Sequence, residues 1–236
     1  MERYSRILYQ LHRVSLQKYQ TFTSGLISSA KFSTKNSSNI CWKCGKDKTS
    51  IAMFCEKCHS IQAPVHTNNY FKMFEIEEGY SIDTNLLKDK FRKYQNLIHP
   101  DKFSNKTHEE QTISAEYSSL INKAYSSLMS PMKRAEHLLQ LKGEMIEESQ
   151  TVDEPNFLMN IMSMNEEVDN AQEDVVKLKE LNEKNRNELN KLTKEIDQHF
   201  KNGDLKAAKA SIIKLKYFTS ISNRINSIFR EAGVAD

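Results

Sequence analysis

The feature that most constrains this chain is the tripeptide His99-Pro100-Asp101, which separates two stretches of helical periodicity. Proline has no backbone N–H and a φ fixed at about −65°, so a helix that reaches Pro100 cannot continue through it. Proline also disfavours the helical conformation of the residue before it, which makes His99 the end of the first helix. An imidazole, a proline and a carboxylate side by side do not suit a core, so we expect a short, exposed turn.

Apolar residues recur at helical spacing on both sides of this turn. Asp83 stands at the N-cap position of the first helix. The apolar stripe of the first helix is Leu87, Phe91, Tyr94 and Ile98. The stripe of the second helix is Ile113, Tyr117, Leu120, Ile121, Ala124 and Leu128. The pattern predicts two antiparallel helices that face each other across the turn; an ordinary helical hairpin with a proline stop would share it.

A basic first helix, the His-Pro-Asp turn and the sequence Asn122-Lys-Ala-Tyr125 in the second helix together resemble the J-domain of DnaK-type co-chaperones. The resemblance implies that the turn stimulates ATP hydrolysis by a DnaK-type chaperone through His99, Pro100 and Asp101. It also implies that basic residues dock on the chaperone by charge. These residues are Lys88, Lys90, Arg92, Lys93 and Lys102.

All four cysteines lie in two CxxC pairs separated by ten residues: Cys41, Cys44, Cys55 and Cys58. Paired CxxC knuckles let each loop offer two thiolates to one tetrahedral ion, and four thiolates close the coordination sphere, which is typical of a structural site. Zinc is the first choice and an iron–sulfur cluster is the alternative. His59 follows the last cysteine directly, but four cysteines suffice and we do not assign it as a ligand. A segment of this size cannot build a core, so metal binding must stabilise its fold.

Residues 1–36 are rich in Ser and Thr, with six Lys or Arg and one acidic residue, a net charge of +5 that leaves the rest of the chain at −2. A basic, acid-poor segment with scattered apolar residues is typical of a mitochondrial transit peptide. We therefore expect the mature protein in the mitochondrial matrix, with a cytoplasmic pool left open. The near-neutral remainder does not favour nucleic-acid binding. No apolar run approaches the roughly 18 residues that a membrane span needs.

After the second helix, Ser130-Pro131 predicts an N-cap and first residue of a further helix that ends near Gly143. A charged linker follows, and Pro155 opens a long helix with a near-heptad apolar pattern that is typical of a coiled coil. Asn182 and Asn185 interrupt this pattern, so we expect a break or a packing fault there. Asn202-Gly203-Asp204 reverses the chain into a last helix. The segment predicts a three-helix bundle with its own apolar seam.

The sequence from Ser130 to Gly143, SPMKRAEHLLQLKG, with Thr151-Val-Asp153 and Phe157-Leu-Met159, resembles the HscB-type iron–sulfur cluster co-chaperones. The cysteine knuckle ahead of the J-domain resembles the metazoan-style mitochondrial form of that family. The resemblance implies that the C-terminal bundle binds the iron–sulfur scaffold protein (IscU-type) and delivers it to the chaperone. The residues at the matching positions are Leu158, Met159, Met162, Glu166 and Tyr217. Assignment of Leu158 and Met162 to the bundle core remains an alternative.

The chain is thus expected to be all-α: a J-domain hairpin and a C-terminal three-helix bundle, preceded by a small tetracysteine knuckle. The predicted segments are a transit peptide (1–36), the knuckle (37–62), the J-domain (68–143), a linker (144–154) and the scaffold-binding bundle (155–232). The alternative function is that of a general J-protein with other clients, and a homodimer stays open.

We do not expect an enzyme, because no nucleophile with a base, phosphate loop or open metal site is present in the sequence. His99 and Asp101 could suggest a catalytic dyad. Two residues that flank a proline, however, are not expected to face each other as a base and its orienting group.

Overall fold

The computed structural model describes residues 40–47, 53–64, 68–147 and 150–233, so the predicted transit peptide lies outside the described residues. Within these ranges the chain is helical, with two isolated β-bridges, Ile40 to Asp47 and Phe54 to Ile61, in the cysteine knuckle. The helices are α1 (Tyr70–Met73), α2 (Thr84–Ile98), α3 (His108–Met129), α4 (Pro131–Leu141), α5 (Pro155–Asn170), α6 (Val175–Asn202) and α7 (Leu205–Glu231). The all-α fold class is confirmed.

Helices α2 and α3 form the predicted hairpin. The Asp83 side chain accepts hydrogen bonds from the first backbone N–H groups of α2, and the helix ends at Ile98, directly before His99. Polar contacts that the apolar pattern did not reveal fix the two helices to each other. The buried Ser114 hydroxyl donates to the Ile98 carbonyl at 2.7 Å, and Gln95 contacts Ser118 on the facing helix. The end of α2, and with it the turn, is therefore held from inside the hairpin.

Helix α4 begins as the sequence predicts, with Ser130 as N-cap and Pro131 as first residue. The bundle differs from the prediction, because the expected long helix breaks between Asn170 and Val175 rather than near Asn182 and Asn185. Asp174 caps the new helix there by accepting the Lys177 N–H at 3.0 Å. Helix α6 passes through Asn185 without interruption, because the buried Asn185 amide donates to the Phe218 carbonyl of α7 at 3.1 Å. The expectation of a break at the asparagines was wrong, since α6 stays helical there and the Asn185 amide N–H has an acceptor on the next helix, although its buried Oδ1 has no hydrogen-bond partner among the described residues.

The bundle of α5, α6 and α7 packs against the hairpin through α4. One cluster of buried apolar side chains extends from Leu87 and Ile98 in α2 through Leu139 in α4 to Ile212 and Ile225 in α7. The segment between α4 and α5 is also tied to α7, by ion pairs from Lys209 to Glu144 at 2.7 Å and from Lys214 to Glu154 at 2.8 Å. The described hairpin and bundle therefore share a continuous core.

Arg134 stabilises this junction from inside. Its side chain is 6% exposed; Nε donates to the Leu128 carbonyl at 2.7 Å and Nη1 donates to the Tyr80 carbonyl at 2.8 Å. The guanidinium also lies over the Tyr80 ring, which stacks on Phe200 of α6 with centroids 6.2 Å apart. Burial lowers the pKa of Arg134, but the guanidinium keeps two carbonyl partners and an aromatic face. One buried cation thus connects the end of α3, the loop before α2 and the bundle.

Replacing Arg134 by Met should lower the free energy of unfolding by about 2–4 kcal/mol, because two buried carbonyls lose their donor. Urea unfolding followed by circular dichroism measures the change. Lys133→Met is the matched control, since Lys133 is exposed on the same turn of α4. An Arg134→Met loss no larger than that of the control would contradict this role.

Candidate functional site

The His-Pro-Asp turn is exposed and well defined. His99 is the C-cap of α2, and Pro100 opens a short 3₁₀ helix, Pro100–Phe103, whose last residue is buried and anchors the turn to the hairpin. His99 Nδ1 accepts the backbone N–H of Asp101 at 3.3 Å. The side chains of His99 and Asp101 are 51% and 88% exposed. The fold therefore leaves the Asp101 carboxylate exposed to solvent and does not use it in the core.

The side chains of His99 and Asp101 lie close together, but not in the arrangement of a base and its orienting group. His99 Nδ1 lies 3.4 Å from Asp101 Oδ2, because the 3₁₀ turn after the proline folds the carboxylate back towards the ring. The same Nδ1 accepts a backbone N–H, so in the neutral imidazole it carries no proton for the carboxylate. Both side chains are open to water, whereas acid–base chemistry needs a positioned substrate. The contact shapes the turn and adds no enzymatic constellation.

The predicted docking residues differ in their exposure and in the polar partners that their charged groups already contact. Lys88 and Lys93 are exposed on α2, and Arg92 is exposed beside Asp89 at 3.9 Å. Lys90 is half-buried: its Nζ donates to the Glu75 carbonyl at 3.3 Å and lies 3.5 Å from the Glu75 carboxylate. Lys102 Nζ donates to the Asn96 side chain at 2.8 Å, which places it beside the end of α2.

Two exposed apolar side chains on α2 were missed by the sequence analysis. Leu86 is 45% exposed and Leu97 is 43% exposed. Together with Lys90 and Lys93 they recur every three or four residues, so they follow one face of the helix. Both leucines fall outside the apolar stripe of α2, so helical periodicity could have shown that they lie on another face of the helix.

The four cysteines form a compact cluster. All four sulfurs lie within 4.8 Å of one another, and two pairs, Cys41 with Cys58 and Cys44 with Cys55, are 3.7 Å apart. A tetrahedron with metal–sulfur bonds of about 2.3 Å has sulfur–sulfur edges of about 3.8 Å. The donor set and its spacing therefore fit a single tetrahedral ion.

The two CxxC loops have the same backbone design. Cys41 N–H donates to Lys46 O at 2.7 Å and Cys55 N–H donates to Ser60 O at 2.9 Å, the same separation along the chain. Gly45 and His59 occupy equivalent positions with φ of +70° and +54°. His59 therefore has the same backbone role in the second loop as Gly45 has in the first, the residue with positive φ that closes the turn. It is not part of the sulfur cluster.

Thiol pKa values in the cluster move in opposite directions. Burial raises the pKa of the Cys41 thiol, but the backbone N–H groups of Cys44 and Lys43 reverse this and lower it to about 5. For Cys44 the Lys46 N–H lowers the pKa, but burial and the neighbouring Cys58 sulfur raise it to about 11. The pKa of the Cys58 thiol is also lowered, first of all by the Ser60 hydroxyl. Negatively charged sulfurs this close together repel one another, so the cluster gains stability when a cation neutralises them.

Two polar side chains beside the cluster were not predicted. The Ser60 hydroxyl lies 3.1 Å from the Cys58 sulfur and 3.6 Å from the Cys41 sulfur. The Gln62 amide donates to the Cys41 sulfur at 3.4 Å. Hydrogen bonds to ligand atoms orient the ligands and stabilise their charge. Their position after the second CxxC pair gave no signal in the sequence.

The knuckle packs on the helical part of the chain. Ile61 is fully buried in the common core, and the Trp42 indole N–H donates to its carbonyl at 2.7 Å. Lys43, between the first two cysteines, lies 3.2 Å from the buried carboxylate of Glu110 in the first turn of α3. The knuckle is thus fixed to the helix that follows the His-Pro-Asp turn.

The predicted scaffold-binding residues lie on two helices of the bundle, four on α5 and one on α7. Met159 is 67% exposed, Glu166 is exposed and Met162 is half-buried, and the three follow one face of α5. Leu158 is half-buried. Tyr217 of α7 is also half-buried and packs edge-on against Phe157, with centroids 5.7 Å apart. We name the set of Leu158, Met159, Met162, Glu166 and Tyr217 the α5 patch.

Lys214 is a neighbour of the α5 patch that the sequence analysis missed. Its Nζ lies over the Phe157 ring, 5.5 Å from the centroid, and pairs with Glu154 at the start of α5. The buried methionine of this helix is Met164. A methionine-rich helix therefore divides its side chains between the core and the surface.

Replacing His59 by Gly should leave metal binding at the four sulfurs intact, because glycine adopts positive φ without the cost of about 1 kcal/mol that other residues incur. Replacing Cys58 by Ser should abolish tetrahedral binding. Titration with Co²⁺, followed by the thiolate-to-cobalt absorption, measures both. A His59→Gly variant that binds as poorly as Cys58→Ser would make His59 a ligand.

Comparison with known proteins agrees with this architecture. A family described as the HSCB C-terminal oligomerisation domain matches residues 153–226, which span the bundle from just before α5 into α7. The chain is 31% identical over 204 residues to the iron–sulfur cluster co-chaperone protein HscB of Mus musculus, covering 85% of this chain and 87% of that protein. The protein of the same name from Homo sapiens is 31% identical over 189 residues, covering 78% and 80% of the two chains.

Comparison with solved structures finds similarity to proteins of the same name. The crystal structure of human co-chaperone protein HscB superposes with a TM-score of 0.74 at 31% identity, covering 80% of this chain and 97% of that one. Chaperone HscB from Vibrio cholerae superposes with a TM-score of 0.62 at 27% identity, covering 69% and 98%. With the helical hairpin, the bundle and the sulfur cluster already described, these similarities show that the chain belongs to the HscB family of iron–sulfur cluster co-chaperones.

Proposed function

We propose that this protein delivers an iron–sulfur scaffold protein to a mitochondrial DnaK-type chaperone and triggers ATP hydrolysis by that chaperone. The observation that carries the proposal is that an exposed His-Pro-Asp turn and an exposed methionine face stand on one continuous core. A rigid connection raises the effective concentration of the bound cargo at the chaperone.

The chaperone end of the adaptor is the turn with the α2 face beside it. The Asp101 side chain is 88% exposed, so its carboxylate is accessible to a partner although it lies 3.4 Å from His99 Nδ1. Lys88, Arg92 and Lys93 supply exposed charge that speeds association and fixes orientation. His99, Pro100 and Asp101 act by binding the hydrolysing conformation of the chaperone better than its other conformation.

Lys90 and Lys102 have a smaller share in docking, because both already bind partners in the protein. Lys90 contacts Glu75 and Lys102 contacts Asn96. Leu86 and Leu97 add exposed apolar area to the same helix. Docking therefore combines charge with apolar contact along α2.

The scaffold end is the α5 patch. Met159 offers a large, exposed and flexible apolar side chain, which suits an adaptable protein contact. Leu158, Met162 and Tyr217 are half-buried, so they support Met159 and contribute their outer atoms. Exposed Glu166 sets one charge at the rim, where it contributes more to orientation than to affinity.

The knuckle holds one structural zinc ion through Cys41, Cys44, Cys55 and Cys58. The sulfurs of a multinuclear iron–sulfur cluster bind peripheral iron atoms and lie farther apart than those around one ion, so the compact spacing favours zinc over a cluster. Zinc has no redox chemistry of its own and supplies folding energy there. The acid-poor, basic N-terminus supports import into the mitochondrial matrix.

The alternative is a general J-protein, which would bind other client proteins in place of the iron–sulfur scaffold protein. The described helices include none long and apolar enough to cross a membrane. The family description of the bundle as an oligomerisation domain supports a homodimer as an additional property. Selective binding of the iron–sulfur scaffold is the property that separates the two functions.

Replacing Asp101 by Asn should reduce stimulation of single-turnover ATP hydrolysis about tenfold, which corresponds to about 1.4 kcal/mol of lost preference for the hydrolysing conformation. Glu116→Gln is the matched control, because it removes an exposed carboxylate from α3 without changing the turn or a docking residue of α2. Equal stimulation by wild type and Asp101→Asn would show that the turn is not the trigger.

Replacing Met159 by Ala should weaken binding of the scaffold protein about tenfold, because the most exposed apolar anchor of the α5 patch is removed. Isothermal titration calorimetry measures the affinity. Met145→Ala is the control, since Met145 is 72% exposed outside the patch. Unchanged affinity for Met159→Ala would place the scaffold elsewhere and favour the general J-protein.

A further inference from the structure

One contact joins the cysteine knuckle to the segment that follows the His-Pro-Asp turn. Lys43 Nζ lies 3.2 Å from Glu110 Oε1, although the two residues are 67 positions apart. The Glu110 side chain is 7% exposed and that of Lys43 is 43% exposed. The ion pair is thus formed at the edge of the core, where it is screened less than a pair on the open surface.

The same carboxylate also caps α3. Glu110 Oε2 accepts the Thr107 N–H at 3.4 Å and the Thr107 hydroxyl at 3.0 Å, and Thr107 Oγ1 accepts the Glu110 N–H at 3.3 Å. This is a complete capping box. One oxygen of Glu110 therefore faces the knuckle while the other holds the first residue before α3.

Further hydrogen bonds connect this cap to the turn. The Gln111 amide donates to the carbonyls of Ser104 and Lys106, both at 3.0 Å. The Ser104 hydroxyl donates to the Asp101 carbonyl at 3.0 Å. The chain between Asp101 and Thr107 is thus held to the first turn of α3 at several points.

We infer that Lys43 is a positioning residue: through Glu110 it holds the segment 104–107, and with it Asp101, in the orientation presented to the chaperone. Lys43 stands between Cys41 and Cys44, so its place depends on the knuckle being folded around its metal. The knuckle then does more than stabilise the chain, since its metal state adjusts chaperone stimulation. The effect on chaperone stimulation rests on the proposed function, whereas the positioning of segment 104–107 rests on the ion pair.

The charge state of Glu110 supports this role. Burial raises the pKa of Glu110, but the Lys43 ammonium and the Thr107 donors reverse this and lower it below the usual range. The carboxylate therefore stays ionised in the folded protein. Without Lys43 it would be a largely buried charge that has lost its cation, and the capping segment would open more easily.

The test uses the full metal-loaded chain with Lys43→Ala. Hydrogen exchange of the amides at 104–111 should become about two- to fivefold faster, the range that a pair of this kind supports. The concentration for half-maximal stimulation of ATP hydrolysis should rise by a similar factor. Metal content should stay at one ion per chain, since no sulfur is changed.

Two further variants separate positioning from general charge effects. Lys46→Ala removes another lysine of the same knuckle, one that faces Glu56 at 3.8 Å, and should leave exchange and stimulation unchanged. Lys43→Arg keeps the charge and should restore both. If Lys43→Ala matches wild type in exchange at 104–111, or if Lys46→Ala has the same effect as Lys43→Ala, the inference is overturned.

Metal removal gives an independent readout. Chelation should accelerate exchange at 104–111 in the wild type and add less in Lys43→Ala, because the connection is already broken. An equal increase in both would overturn the coupling. A wild-type chain that fails to stimulate the chaperone would instead refute the proposed function, and the exchange measurements would still decide the role of Lys43.

Discussion

The junction around buried Arg134 of α4, which reaches α6 of the bundle through Tyr80, is the contact on which the rest of the structure depends. The Arg134 guanidinium binds the carbonyl that ends α3 and the carbonyl of Tyr80, whose ring stacks on Phe200 in the bundle. Apolar side chains of both parts close around it in one core. A buried cation with two carbonyl partners has few alternative arrangements, because any movement leaves charge or acceptors unpaired. The junction therefore fixes orientation as well as stability.

This fixed junction determines how the functional surfaces are placed relative to one another. The His-Pro-Asp turn, the α5 patch and the cysteine knuckle lie on separate elements, and none of them encloses a substrate. Each is an exposed surface whose value depends on where the others are held. The knuckle joins the same frame through Ile61 in the core and Lys43 at Glu110. The proposed adaptor function depends on this geometry, so residues that are buried inside the protein contribute to it as well as those that contact a partner.

Local signals in the sequence predicted the elements well, because their causes are local. Pro100 stops α2, Asp83 and Ser130 cap helices, and two CxxC pairs bring four sulfurs together over a short span. The features that depend on distant partners could not be predicted. Asn185 is tolerated in the bundle because Phe218 offers a carbonyl, and Lys43 meets Glu110 across 67 residues.

The shared core holds the turn and the α5 patch at one fixed separation. Pulsed electron–electron double resonance between nitroxide labels at Ser104 and Ser163, both exposed, measures it directly. The labels would be attached through an unnatural amino acid so that the four cysteines stay untouched. The account predicts a single narrow distance distribution that broadens when Arg134 is replaced by Met. A broad or multimodal distance distribution in the protein with Arg134 unchanged would contradict this prediction, because it would show that the turn and the α5 patch move independently.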